Sequence, residues 1–65
     1  MPTEVEKMNT VISSTHDQIQ KLLAEMSKAK DPKQKKGFAA QAMKEVAKSM
    51  KLQAQLNQLL AKEAQ

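Results

Sequence analysis

Lys28-Ala29-Lys30-Asp31-Pro32-Lys33-Gln34-Lys35-Lys36-Gly37 is the stretch that decides how this 65-residue chain folds. Asp31 suits a helix N-cap, Pro32 suits the first helical position, and Gln34 stands three residues after the cap. Proline also drives the residue before it out of the helical region. A helix arriving from the N-terminal side therefore ends near Ala29 or Lys30. A second begins at Pro32 or, where Gly37 closes a loop, at Phe38. The pattern predicts one small domain over residues 1–65, with a helix at about 4–29, a turn at about 30–37 and a helix at about 38–62. A connection this short makes two amphipathic helices antiparallel neighbours, an all-α two-helix hairpin.

Upstream of the turn the apolar spacing is regular. Val5, Met8, Ile12, Thr15, Ile19, Leu22, Met26 and Ala29 alternate steps of three and four, the seam of a coiled-coil heptad. Val11 and Leu23 widen that stripe, which suits a bundle better than a two-stranded zipper. Thr3 followed by Glu6 has the form of a capping box and starts the helix near Glu4. The intervening run Asn9 to Thr15 is rich in Ser, Thr and β-branched residues of poor helix propensity, yet the heptad phase crosses it unchanged.

Downstream, the apolar face shifts. At about 100° per residue, Met43, Val46 and Met50 fall on one stripe, whereas Leu52, Leu56, Leu59 and Leu60 sit about a quarter to a third of a turn away. The expectation is that Met43, Val46 and Met50 pack against Ile12, Ile19, Leu22 and Met26 as the intra-hairpin core. Gln53 and Asn57 occupy the continuation of the methionine stripe, so the second helix is expected to leave its partner beyond Met50. Leu52, Leu56, Leu59 and Leu60 are then free for an oligomer or partner interface.

Charge is uneven along the chain. Residues 28–51 carry +6 and the remainder −2, giving the net +4. Lys33, Lys35 and Lys36 at the turn, with Lys44, Lys48 and Lys51 opposite the methionine stripe, are candidate anion-binding residues. Every cation is Lys, without the Arg suited to bidentate phosphate and base contacts, and Phe38 is the lone aromatic for base stacking. Nucleic-acid binding through these lysines would be backbone-directed and unspecific. A solvated hairpin tip is the favoured reading.

Composition excludes several classes of activity. A single Gly cannot build a phosphate-cradling loop, and one His without cysteine offers neither a catalytic constellation nor a metal site. No enzyme, cofactor, metal or small-molecule substrate is expected. No run of about 18 apolar residues is present, so no transmembrane segment is expected. The acidic start Met1-Pro2-Thr3-Glu4-Val5-Glu6 lacks the form of a secretory signal, which points to the cytoplasm and leaves signal-independent export open. Seventeen apolar side chains larger than Ala make a thin core for a free-standing domain. Neither a disulfide nor a metal can staple it, so a homo-oligomer or a protein partner is expected to complete a helical bundle.

The layout of helix, Asp31-Pro32 turn and longer helix resembles the small helical hairpins of type III secretion, the needle subunits and their cochaperones. Needle subunits often carry Pro-x-Asp-Pro at the turn, of which Asp31-Pro32 is the matching half. In length and plan the chain is also similar to dimeric RNA-binding hairpins of plasmid copy control. Ala42-Met43-Lys44-Glu45-Val46-Ala47-Lys48-Ser49-Met50 resembles a helix of membrane-remodelling polymers. The expected function is a non-enzymatic assembly or interaction protein, with a small basic nucleic-acid-associated hairpin as the alternative.

Overall fold

In a computed structural model that describes residues 3–64, α1 spans Glu4–Lys28 and α2 spans Pro32–Glu63, and the two pack against each other. Met1 and Pro2, which belong to the stretch read against a secretory signal, lie outside the described residues, as does Gln65. The caps are the ones the sequence points to. Thr3 Oγ1 accepts from the Glu6 backbone N–H at 3.1 Å, and Glu4 and Glu6 place negative charge in the first turn of α1. Asp31 Oδ1 accepts from Lys33 N–H at 3.0 Å, with Pro32 opening the helix behind it.

The connection is shorter than the turn expected over about 30–37. It consists of Ala29, Lys30 and Asp31, and the chain is helical again from Pro32. Asp31 and Pro32 together satisfy and pre-set the first turn, so Lys33 to Gly37 have no reason to stay outside the helix. Gly37 does not adopt a positive φ, and a Cβ added there would meet nothing within 4 Å. Gly37→Ala should therefore raise stability by about 0.5–1 kcal/mol through helix propensity alone. Thermal unfolding followed at 222 nm measures it; a lowered midpoint would mean that Gly37 serves a contact absent here.

On α1, the seam against α2 is the heptad of the sequence. Ile12, Thr15 and Leu22 are buried, and Val5, Met8, Ile19, Met26 and Ala29 are half-buried. On α2 the seam is a different one from that expected. Phe38, Ala42, Glu45, Ser49, Leu52, Leu56 and Leu59 face α1, again in steps of four and three without a break. Met43, at 72% exposure, Met50, at 68%, and Val46, at 42%, are outside the intra-hairpin core and open to solvent. Leu56 is only 6% exposed, and Leu52 and Leu59 are half-buried beside it, so these three are occupied within the hairpin. Of the four leucines assigned to an oligomer interface, Leu60 alone remains on the surface. Nor does α2 leave its partner beyond Met50, because Leu52, Leu56 and Leu59 hold it there.

The physical reason lies in the small residues. Ala42 and Ser49 on α2 occupy the positions where α1 presents Leu22, Ile19 and Thr15. Large side chains from one helix fill the seam and need small ones opposite, as close packing requires. The bulky Met43, Val46 and Met50 are displaced to one side. Ser49 and Thr15 form a polar level in the middle of this seam. Thr15 Oγ1 donates to Val11 O at 2.9 Å, and Ser49 Oγ hydrogen-bonds His16 Nε2 at 3.0 Å. Among the described residues, no buried side-chain polar atom lacks a partner.

Candidate functional site

A two-helix hairpin is a single layer, and this one measures 51 × 20 × 11 Å between its outermost Cα atoms. It has two broad sides, and their chemistry differs. On the first, Ile19, Leu23 and Met26 of α1 face Ala39, Met43, Val46, Ala47 and Met50 of α2 across an open groove whose walls are apolar throughout. At about 100° per residue the same side continues along α1 through Val5, Asn9, Ile12, His16 and Ser27, and along α2 through Gln53, Asn57 and Leu60. Between Val5 and Ser27, and between Ala39 and Ala61, no charged residue falls on it.

The second side carries charge. Its grooves are lined by Glu25, Lys28, Gln34 and Gln41 near the turn, by Thr10, Ser14, Gln18, Glu45 and Lys48 at mid-length, and by Gln55, Gln58 and Lys62 near the open end. Met8, Val11, Leu52 and Leu59 add apolar lining toward the open end, beside Glu4 and Lys7, and Phe38 does so near the turn. Asp17 and Lys21 of α1, and Lys44 and Lys51 of α2, project from the outer edges or toward this second side. Charge is thus segregated across the thin dimension of the molecule.

The candidate anion-binding lysines do not gather into one site. Lys33, Lys35 and Lys36 sit in the opening turns of α2 and, at about 100° per residue, point in three different directions. Lys44, Lys48 and Lys51 run along α2 away from the apolar groove, and all six are exposed. The first turn of α2 carries no acidic residue, so Lys33 and Lys35 oppose the positive end of the helix dipole.

His16 lies on the uncharged side, anchored by its 3.0 Å hydrogen bond to Ser49, whose direction follows the imidazole tautomer. Further along that side, Gln53 Nε2 donates to Asn57 Oδ1 at 3.2 Å, so these two amides pair with each other rather than with α1. Among the described residues no group of three or more His, Cys, Asp or Glu is placed to hold a metal ion. Nor, among them, is any helix long and apolar enough to cross a membrane.

The two-sided distribution is present in the sequence but escapes a helix-by-helix reading. The signal is that positions flanking the heptad on one side are uncharged in both helices: Asn9, His16, Gln20, Leu23 and Ser27 in one, Met43, Val46, Ala47, Met50, Gln53 and Asn57 in the other. Recognising it requires the correct α2 seam first. No family model matches the chain, and neither a curated protein nor a solved structure proves similar to it.

Proposed function

We propose that the chain is a non-enzymatic interaction protein, a small helical subunit or adaptor that works through the uncharged side of its hairpin. The observation that carries this reading is the groove between Leu23 and Met26 on α1 and Met43, Val46 and Met50 on α2. Leu23, Met43, Val46 and Met50 are solvent-exposed and contiguous, with half-buried Met26 beside them, and no charge interrupts them. Contiguous exposed apolar surface on a small protein marks a place where something else docks. Methionine, flexible and polarisable, suits such a surface because it adapts to the contour of its partner. The segregation of lysines onto the far side and edges keeps the chain soluble without obstructing that contact.

The alternative, a nucleic-acid-associated hairpin, would work through Lys33, Lys35, Lys36, Lys44, Lys48 and Lys51. One double and one triple change separate the readings. Met43→Glu with Met50→Glu should abolish retention of protein partners from nuclease-treated source lysate, with the hairpin still helical. Lys33→Gln, Lys35→Gln and Lys36→Gln together should leave that retention intact. Relief of the dipole conflict at the start of α2 should also raise stability, by no more than about 1 kcal/mol. Duplex or single-strand binding tighter than about 1 μM near 0.15 M salt, lost in the lysine triple variant with a flattened salt dependence, would overturn the interaction reading.

A further inference from the structure

We propose that the uncharged side is covered by a second copy of this chain, the two hairpins meeting face to face as a closed, two-fold homodimer of four helices. The inference rests on the interaction reading above and names its partner. Two observations call for a covering layer, and a third selects a second copy.

Surface comes first. A compact monomer of 7.2 kDa exposes about 4,100 Å² by the usual scaling with mass, whereas this chain exposes 5359 Å². Its radius of gyration is 15.1 Å, against about 11 Å for a compact domain of 65 residues. The excess is what a one-layer structure leaves uncovered. Stable folds bury their apolar faces between at least two layers, and this hairpin supplies one.

Area comes second. At a rise of about 1.5 Å per residue the uncharged stretch is about 33 Å long, and with the 20 Å width of the hairpin it presents roughly 650 Å² to a partner, inside the roughly 600–1,000 Å² per partner of a standard stable interface. Pairing like faces over this stretch adds the missing layer.

Charge decides the occupant. A chain of net +4 repels its own copies wherever their cations meet. Here Lys44, Lys48 and Lys51 lie away from the groove, and Lys35, on the groove side, stands at the turn end beyond Ala39, so the two uncharged stretches can close with no lysine between them. A face without charge selects a partner surface that is equally flat, long and uncharged, and the chain itself carries that surface. Two-fold symmetry makes such a patch self-complementary. His16, Gln53 and Asn57 lie on the same face and offer hydrogen-bonding groups to the facing copy.

Sedimentation equilibrium of the purified full chain, from about 1 μM to 500 μM, tests the proposal. The expected species has twice the 7.2 kDa chain mass, dissociating on dilution. Met43→Glu and Val46→Glu should each weaken association at least tenfold. Lys44→Glu, on the far side of the same helix, should leave it unchanged or tighter. Met43 is 72% exposed in the single hairpin, so a glutamate there is solvated and helicity should persist. Should Val46→Glu lose helicity, Met43→Glu alone decides. A monomer at every concentration, an assembly larger than two, or a dimer insensitive to Met43→Glu overturns the proposal. So does uptake of a monomeric chain by phosphatidylcholine–phosphatidylglycerol vesicles that Met43→Glu abolishes, which would assign the face to lipid. A monomer whose Met43→Glu variant still loses protein partners from lysate refutes the second copy and leaves the interaction reading standing. A monomer with no groove-dependent partner refutes both.

Discussion

Leu56→Ala is expected to lower the unfolding free energy by about 2–4 kcal/mol, whereas Leu60→Ala, one turn later, should lower it by less than about 1 kcal/mol. Leu56 is 6% exposed in the seam between the helices, flanked by half-buried Leu52 and Leu59. Removing its isobutyl group forfeits the burial and leaves space that only partial relaxation can fill. Leu60 already has 44% of its surface in water and so has less to lose. A chain of 65 residues has a total stability of roughly 3–10 kcal/mol, so the first change removes a large share of it. Urea unfolding at 222 nm, at one low protein concentration so that association does not mix with folding, reads both numbers. Equal losses at the two positions would place the leucine stripe outside the hairpin. By the same logic, charged residues at positions 56 and 59 should unfold the hairpin itself rather than only separate one chain from another.

The pair His16 and Ser49 should show a large non-additivity. His16→Ala removes the group that hydrogen-bonds the buried Ser49 hydroxyl at 3.0 Å, and should weaken the fold by about 1–2 kcal/mol. Ser49→Ala removes the buried hydroxyl and leaves the exposed imidazole to water, so its loss should be smaller, under about 1 kcal/mol. The double change should fall well short of the sum, since once the hydroxyl is gone the histidine has no buried group to satisfy. A double-mutant cycle in urea gives the coupling. Additive losses would mean that the hydroxyl turns to its own helix backbone, as Thr15 does toward Val11, and that His16 contributes nothing to the fold. A coupled pair implies that this polar level helps set the register between α1 and α2, since sliding the helices past each other would separate His16 from Ser49.

Local features of this chain are legible in the order of its residues. Thr3 and Asp31 cap because their side-chain oxygens reach a backbone N–H two or three residues on, a property of the residue and its neighbours. Asp31-Pro32 breaks the chain because a proline ring restricts the residue before it, whatever the rest of the fold does. The seam of α1 is equally readable, because every one of its positions from Val5 to Ala29 is apolar or threonine. Hydrophobic spacing and buried face coincide there. The turn is shorter than Gly37 suggests, because the Asp31 cap and Pro32 restart the helix five residues before a glycine could end a loop.

The seam of α2 cannot be read the same way. Its seam positions run through Ala42, Glu45 and Ser49 before reaching Leu52, Leu56 and Leu59, while the bulky Met43 and Met50 stay in water. A helix taken alone shows which of its side chains are apolar. It does not show which must be small. That is settled by the facing surface, where Ile12, Thr15, Ile19 and Leu22 fill the gap between the helices and leave room for a methyl or a hydroxyl opposite. The location of the uncharged groove follows from that one decision, because turning α2 to seat Ala42 and Ser49 against α1 carries Met43, Val46 and Met50 to the surface beside Leu23. The caps, the break at Asp31-Pro32 and the short connection that makes the helices antiparallel belong to the sequence, since they depend on chemistry within a few residues of each position. Which face of α2 is buried, and hence which face is left for a partner, belongs to the tertiary structure, since close packing is a property of two surfaces together.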